Sequence, residues 1–403
     1  MGSRALQPDL LGLARWLRLA LAGEDLVPYG QALLQRAAAD PNDSAALLDA
    51  SIILQCLGQT EAGLRLQGAA LEQRRQYRIA SSTSPPRLRV LALVAPGAIM
   101  ANVPIECLLE GSDIELILDY GSPATLDPGE IPEHEVLFVA IGEAQANRPL
   151  LADWAVRLRD WPRPVVNDPR RILEVARDRA CLRLQGQPGL RAPLTVRLDR
   201  AQLRAWAEGE GGLGPDWPLL VRPLDSHAGR GLTKVDAPEA LLNLLATQSS
   251  QAFFVTPFIE YRSPDGCYRK FRVVLIDGRP FAVHLAISDH WMIHYLNAGM
   301  DESAAKRAEE AAFMADFERD FARRHAEALA TIQAAFGLDY LGIDCAETSD
   351  GRLLIFEVDP AMVVHDMDPI ALYPYKPAAM QRIFAAFRAF LIRAAACRAP
   401  GLG

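Results

Sequence analysis

The chain has no long uncharged apolar run, no CxxC pair, no excess of basic charge and no glycine fingerprint for a dinucleotide. Each absence removes a class of function. Without about 18 consecutive uncharged apolar residues, no transmembrane helix is expected. Arg4, Arg15 and Arg18 interrupt the early apolar residues, so no signal peptide is expected. Six cysteines (Cys56, Cys107, Cys181, Cys267, Cys345 and Cys397) are scattered, which suits reduced thiols in a cytoplasm better than a disulfide framework. A formal net charge of -8 argues against a general nucleic-acid binder but leaves room for a local basic pocket. No GxGxxG follows the first strand-like run, and no GKS or GKT occurs, so neither a dinucleotide fold nor a P-loop is expected. No Ser–His–Asp order suggests a protein nucleophile.

What is present is 403 residues of ordinary globular composition, half of them hydrophobic, enough for two or three domains. Residues 1 to about 80 read as helical throughout, with Leu10, Leu13, Ala14, Leu17 and Leu21 at helical spacing. The segment from Asp40 to Arg78 resembles one tetratricopeptide-type helical hairpin, with Gly58 at its turn. A lone repeat cannot bury its own face, so it is either a cap on the next domain or a docking module. Ser81–Pro86 reads as a linker. From Arg87 strands and helices alternate, which predicts a small open parallel sheet. Val165-Val166 ends a strand, Asn167-Asp168-Pro169 opens a helix, and residues 170–184 carry a helical pattern. Residues 302–335 form the longest helical pattern, with Phe313, Phe317, Phe321 and Leu329 as its apolar stripe.

Three polar constellations stand out. Leu341–Pro369 reads as two strands joined at Thr348–Gly351, carrying Asp344, Glu357 and Asp359. Glu357 and Asp359 share a strand face, and converging carboxylates suit Mg²⁺; solvated surface acids are the plainer alternative. Between the strands around Leu219–Val221 and Leu232–Val235, Gly229 and Gly231 let backbone N–H groups approach an anion, or simply form a hairpin loop. A third hairpin turns at Asp277-Gly278 and puts Lys270 and Arg272 on one face. Asp289, His290, His294 and Tyr295, and later His365, Asp366 and Asp368, are either substrate-recognising groups or hydrogen-bonded loop residues. The His290/His294 spacing could hold zinc on a helix, but no third ligand lies nearby.

This ordered set resembles the ATP-grasp superfamily, and within it the RimK-like carboxylate–amine ligases, over about residues 88–395. The resemblance implies an α/β (α+β) ATP-grasp fold with a small βαβ pre-ATP-grasp domain, preceded by an all-α domain. The implied boundaries are 1–80 (helical, TPR-like), 87–180 (pre-ATP-grasp) and 181–403 (ATP-grasp). The last divides into a glycine-loop subdomain at about 190–258 and a metal and catalytic subdomain at about 259–395. Arg179 and Arg222 stand where the family usually has lysines on the ATP phosphates. Ser226, His227, Gly229 and Gly231 would belong to the loop closing over them. Pro257, Phe258 and Ile259 would form the hinge beside adenine, with Glu260 as a ribose ligand. Arg272, with Lys270, would act near the γ-phosphate and the acyl phosphate, and Asn297 and Gly299 would lie near the triphosphate. Asp344, Glu357 and Asp359 would hold magnesium, two ions by the family pattern. His290, His294, His365 and Asp366 fall where substrates would bind.

Some positions depart from the family. Arginine replaces both lysines, Thr256-Pro257 replaces a polar-acidic pair, Asp359 replaces an asparagine, and Lys270 replaces a common acid. The implied activity is an ATP-dependent carboxylate–amine ligase forming an amide or peptide bond through an acyl phosphate. ATP, a carboxylate and an amine are its partners, with peptides or proteins open as substrates and a homo-oligomer open as its state. Neither nucleic acid nor membrane is expected. The alternatives are an ATP-grasp phosphotransferase acting on a small molecule and a non-catalytic helical-repeat scaffold.

Overall fold

A computed structural model describes residues 10–124, 129, 131–210, 217–224, 226 and 229–397. By internal contacts the chain divides into two units. One runs to Leu173 and takes in Leu338–Leu341 and the chain from Asp359; the other is Glu174–Gly337 with Gly342–Val358.

The first unit opens with helices α1 (Gly12–Leu21), α2 (Val27–Ala39), α3 (Ser44–Cys56) and α4 (Thr60–Gln73). Leu13, Trp16, Leu26, Leu33, Ala50 and Ile53 form their shared core. Asp43 caps α3 by accepting from the Ala46 N–H at 2.9 Å. Helix α1 has no side-chain cap of its own. The fully buried Asp49 serves instead, accepting from the N–H groups of Leu11 (3.0 Å) and Gly12 (2.9 Å) and from the Trp16 indole (2.7 Å).

Gln76–Ile79 is a strand, β1, and not a continuation of the helices. It is followed by β2 (Leu88–Leu93), α5 (Ile105–Leu109), β3 (Ile114–Asp119), β4 (Val136–Val139), α6 (Arg148–Arg157), β5 (Val165–Val166) and α7 (Pro169–Ile172). The sheet order is β1-β3-β2-β4-β5. β3, β2, β4 and β5 are mutually parallel, as the alternation predicts, and β1 adds antiparallel at the β3 edge. This edge pairing, with Glu106 accepting from the Ala14 N–H at 3.2 Å, ties the helices to the sheet. The two sides of the Ser81–Pro86 linker therefore fall in one unit.

The second unit contains α8 (Arg177–Leu184), β6 (Leu190–Arg191), β7 (Val196–Asp199), α9 (Arg200–Ala207), β8 (Leu219–Pro223), β9 (Thr233–Val235), α10 (Pro238–Thr247) and β10 (Ala252–Pro257). β11 (Tyr268–Ile276), β12 (Arg279–Ser288), α11 (Ala304–Asp316), α12 (Phe321–Arg324), α13 (Ala326–Phe336), β13 (Tyr340–Glu347) and β14 (Leu353–Asp359) follow, and α14 (Lys376–Ala396) closes the chain in the first unit. A four-stranded sheet, β7-β10-β8-β9, buries Leu219, Val221, Phe253 and Val255 against Leu203, Leu241 and Leu245 of α9 and α10. A five-stranded sheet, β12-β11-β13-β14-β6, carries both expected hairpins. Asp277 (φ 50°) and Gly278 (φ 75°) both take positive φ at the first tip, as a tight hairpin turn requires.

Two helical patterns break where periodicity alone ran on. Residues 170–184 split into α7 and α8. The 302–335 pattern splits into α11, α12 and α13, which leaves α14 the longest helix among the described residues. At the second break Phe313 and Phe321 both pack on Phe271 of β11, with ring centroids at 5.1 and 4.8 Å, and Phe317 stacks on Phe321. Closing this aromatic cluster outweighs continuing one straight helix. No described helix is long and apolar enough to cross a membrane.

Candidate active site

Strand alternation positions the basic residues of β11. Phe271 faces the phenylalanine cluster, so Lys270 and Arg272 face the other side. A bulge between Arg272 and Val273 sets Arg272 opposite His284; such irregularities re-aim side chains. The next strand, β13, presents Asp344, only 4% exposed. Arg272 donates from Nε to Asp344 Oδ1 at 2.7 Å and from its terminal nitrogen to Oδ2 at 2.9 Å, while Lys270 Nζ reaches Oδ2 at 3.0 Å. Burial pushes the Asp344 carboxyl up, but Arg272 and then Lys270 outweigh it and hold the group well below the usual carboxylate range.

A second ion pair joins Glu357 of β14 to Arg177, in the first turn of α8, which also donates to the Phe356 carbonyl at 3.0 Å. Burial raises the Glu357 carboxyl; Arg177 and Arg222 pull it down by more. Arg222 on β8 alternates away from the small-sheet core and holds Ser226 through the Ser226 hydroxyl (Nε at 3.0 Å) and carbonyl (3.1 Å). Burial, and then the neighbouring charge of Arg177, push Arg222 down to about 10. Ser226 in turn donates to the Pro223 carbonyl at 2.8 Å. Gly229 and Gly231 take φ of 73° and 70°, which the loop requires of glycine. His227 lies outside the described residues.

The arginine of α8 that joins this cluster is Arg177, not the expected Arg179. Arg179 is paired with Glu174 at 2.7 Å, and Arg183 shares the same carboxylate, so its side chain is taken up in a half-exposed surface network. Arg177 lies two residues earlier, inside the helical pattern of residues 170–184, where periodicity does not mark it. Its position at the helix start, just after Ala176, was the available signal.

At the end of β10 the Phe258 N–H donates to the Pro218 carbonyl at 2.8 Å, fixing the strand exit. Phe258 lies edge-on to Trp291, and Lys234 of β9 stands 4.2 Å over its ring, a basic residue the sequence reading passed over. The buried Thr256 hydroxyl has no hydrogen-bond partner among the described residues. Pro257 and Ile259 flank Phe258 in this segment. Glu260 is exposed; its Oε1 accepts from the Tyr261 and Arg262 N–H groups at 3.1 and 3.0 Å, and Oε2 from the Tyr268 hydroxyl at 3.4 Å.

The remaining expected residues divide between the units. Burial, and then the charges of Lys270 and Arg272, push His294 down. Asn297 accepts from the His294 N–H at 2.8 Å, closing a short turn. His290 is exposed, and its Nδ1 accepts from the Met292 N–H at 3.2 Å. Tyr295 donates to the fully buried Glu310 at 2.9 Å. In the first unit, His365 accepts from the Met367 N–H at 3.1 Å, Asp366 is bound by Arg18 at 2.7 Å, and Asp368 pairs with Lys376 at 3.2 Å. Asp359 accepts there from the Ala361 N–H at 2.8 Å. These contacts give Asp366 and Asp368 structural partners.

The expected magnesium site is not assembled. Among the described residues, no three His, Cys, Asp or Glu side chains are grouped to hold an ion. Both Asp344 oxygens are held by cations, and Glu357 by Arg177. A dication on Asp344 would have to displace Lys270 or Arg272 from its oxygens. Asp344 and Glu357 lie on the neighbouring strands β13 and β14, and the charge of Asp344 acts on Glu357, so the two ion-paired groups adjoin. With four cations (Arg177, Arg222, Lys270 and Arg272) to two carboxylates, the side chains as placed fit an anion better.

No protein-family model matches the chain, and no curated protein does. Several solved structures are similar to it. One is a RimK-domain ATP-grasp protein from Sphaerobacter thermophilus, at 17% identity and TM-score 0.42, covering 75% of this chain and 99% of the other. Another is the VanG D-Ala:D-Ser ligase from Enterococcus faecalis, at 17% identity and TM-score 0.41, covering 65% and 74%. A third is the D-alanine–D-alanine ligase from Bacillus anthracis complexed with ATP, at 13% identity and TM-score 0.45, covering 77% and 97%. Likenesses this distant leave the function to be argued from the chain's own side chains.

Proposed function

We propose that this chain is an ATP-dependent carboxylate–amine ligase of ATP-grasp type. The observation that carries the reading is the cluster in the second unit: Lys270 and Arg272 on Asp344, Arg177 on Glu357, and Arg222 holding the glycine-bearing loop. A partly enclosed set of cations around a glycine-containing turn is suited to a nucleotide's phosphates. Phe258, with Lys234 over its ring and the unpartnered Thr256 hydroxyl beside it, offers an apolar wall and a donor for a base.

In this reading the substrate carboxylate oxygen attacks the γ-phosphorus, the bond to the β-phosphate oxygen breaks, and ADP leaves. An amine nitrogen then attacks the acyl carbon, inorganic phosphate departs, and the nitrogen gives up a proton. The chain orients the reactants and offsets charge on the phosphoryl oxygens. Arg222 and Arg177 would hold the leaving nucleotide, and Arg272 with Lys270 the transferring group. Because the magnesium site is not assembled by these side chains, no step is assigned to a metal.

The test is ATP turnover with hydroxylamine present. A hydroxamate formed from a carboxylate substrate supports the acyl phosphate. A stable phosphorylated product without hydroxamate would replace the ligase by a phosphotransferase. Absence of any nucleotide binding would leave the scaffold reading.

A further inference from the structure

We infer that the cluster of Arg177, Arg222, Lys270 and Arg272 binds a polyphosphate chain without requiring a divalent cation, Lys270 supplying fixed positive charge where a metal would otherwise be recruited. The inference rests on the proposed function only in taking that polyphosphate to be a nucleotide's.

Three observations carry it. First, Asp344 is satisfied by the chain itself: Lys270 and Arg272 occupy both oxygens at 2.7–3.0 Å, in a setting only 4% exposed. A magnesium ion needs its carboxylate oxygens at about 2.1 Å and would have to displace these donors. Second, the cluster is cationic before any ligand arrives, with four positive groups to two negative ones. Third, Arg222 also holds Ser226, and Gly231 packs close to Pro223, the residue next to Arg222. An anion seated on Arg222 therefore lies beside a turn that can present backbone N–H groups. A metal-bound polyphosphate would carry less charge into a site built to offset more.

The experiment is calorimetric titration of the full chain with ATP, in EDTA and in Mg²⁺, and with inorganic tripolyphosphate in EDTA. ATP affinity in EDTA within about tenfold of that in Mg²⁺ is the expected result; any greater loss in EDTA overturns the inference while leaving the nucleotide reading intact. Tripolyphosphate binding in EDTA without ATP binding would keep the inference and remove the nucleotide. If neither ligand binds under any condition, both fail. Lys270→Gln should lower ATP affinity in EDTA about tenfold, one charged contact's worth, and Mg²⁺ should not restore it. Lys270→Asp should make binding metal-dependent, weak in EDTA and recovered in Mg²⁺. Unchanged ATP affinity of Lys270→Gln in EDTA would overturn the role given to Lys270, whether or not the aspartate variant folds.

Discussion

Arg272→Ala tests whether the basic face of β11 is built around Asp344. On a solvated surface this substitution would change stability by about 0.5 kcal/mol or less. Here Arg272 makes two hydrogen bonds to a carboxylate that is 4% exposed, one of them from Nε to Oδ1 at 2.7 Å. Its removal leaves a buried charge short of donors, a change that costs about 3–5 kcal/mol. The lower end applies, about 3 kcal/mol, because Lys270 still holds Oδ2 at 3.0 Å. Urea denaturation of wild type, Arg272→Ala, Asp344→Asn and the double variant reads this directly. Arg272→Ala should be the less stable of the two single variants. The double variant should regain about 1 kcal/mol or more over Arg272→Ala, since no uncompensated carboxylate remains. If Arg272→Ala lies within about 0.5 kcal/mol of wild type, or the two changes simply add, Asp344 is not held as described. In the same variant, single-turnover phosphate release should fall by about two to three powers of ten if Arg272 also offsets phosphoryl charge.

Arg177→Ala should weaken ATP binding about tenfold or more, whereas Arg179→Ala, losing a half-exposed pair, should change binding and stability little; equal effects in titration calorimetry would contradict the placement of Arg177 in the site. Gly231→Ala forces a side chain into φ 70° with a Cβ 3.0 Å from Pro223, so ATP affinity should drop while the melting temperature of the ligand-free protein moves by only a few degrees. Burial, with Asp49 nearby, pushes Glu106 from 4.5 up to about 8. The folded state thus keeps a proton that the unfolded state loses, and stability falls as pH rises across that window. Glu106→Gln should flatten the fall between about pH 5 and about pH 8 in urea denaturation, and an unchanged slope would show that Glu106 is not its source.

Local pattern was enough for the elements that carry the site. Alternation along Tyr268–Ile276 placed Lys270 and Arg272 on one face, and Asp277-Gly278 and Thr348–Gly351 marked the hairpin tips that the structure contains. The parallel strands after Arg87 were legible from their apolar runs and intervening helices. What periodicity cannot state is which charge meets which. Asp344 lies 72 and 74 residues from Arg272 and Lys270, and Glu357 lies further still from Arg177. A carboxylate in a sequence reads equally well as a metal ligand or as an arginine's partner, and only packing chooses between them. The same holds for Arg177 over Arg179: a helix that begins at Arg177 turns the first toward Glu357 and leaves the second to Glu174. Gln76–Ile79 became a strand because a sheet edge with unpaired N–H and C=O groups lay open at β3, and the aromatic packing on Phe271 broke a helix whose own residues would have continued it. Short-range sequence sets which way a side chain faces; long-range contact, where the hydrogen-bonding and desolvation energies are largest, decides what it faces.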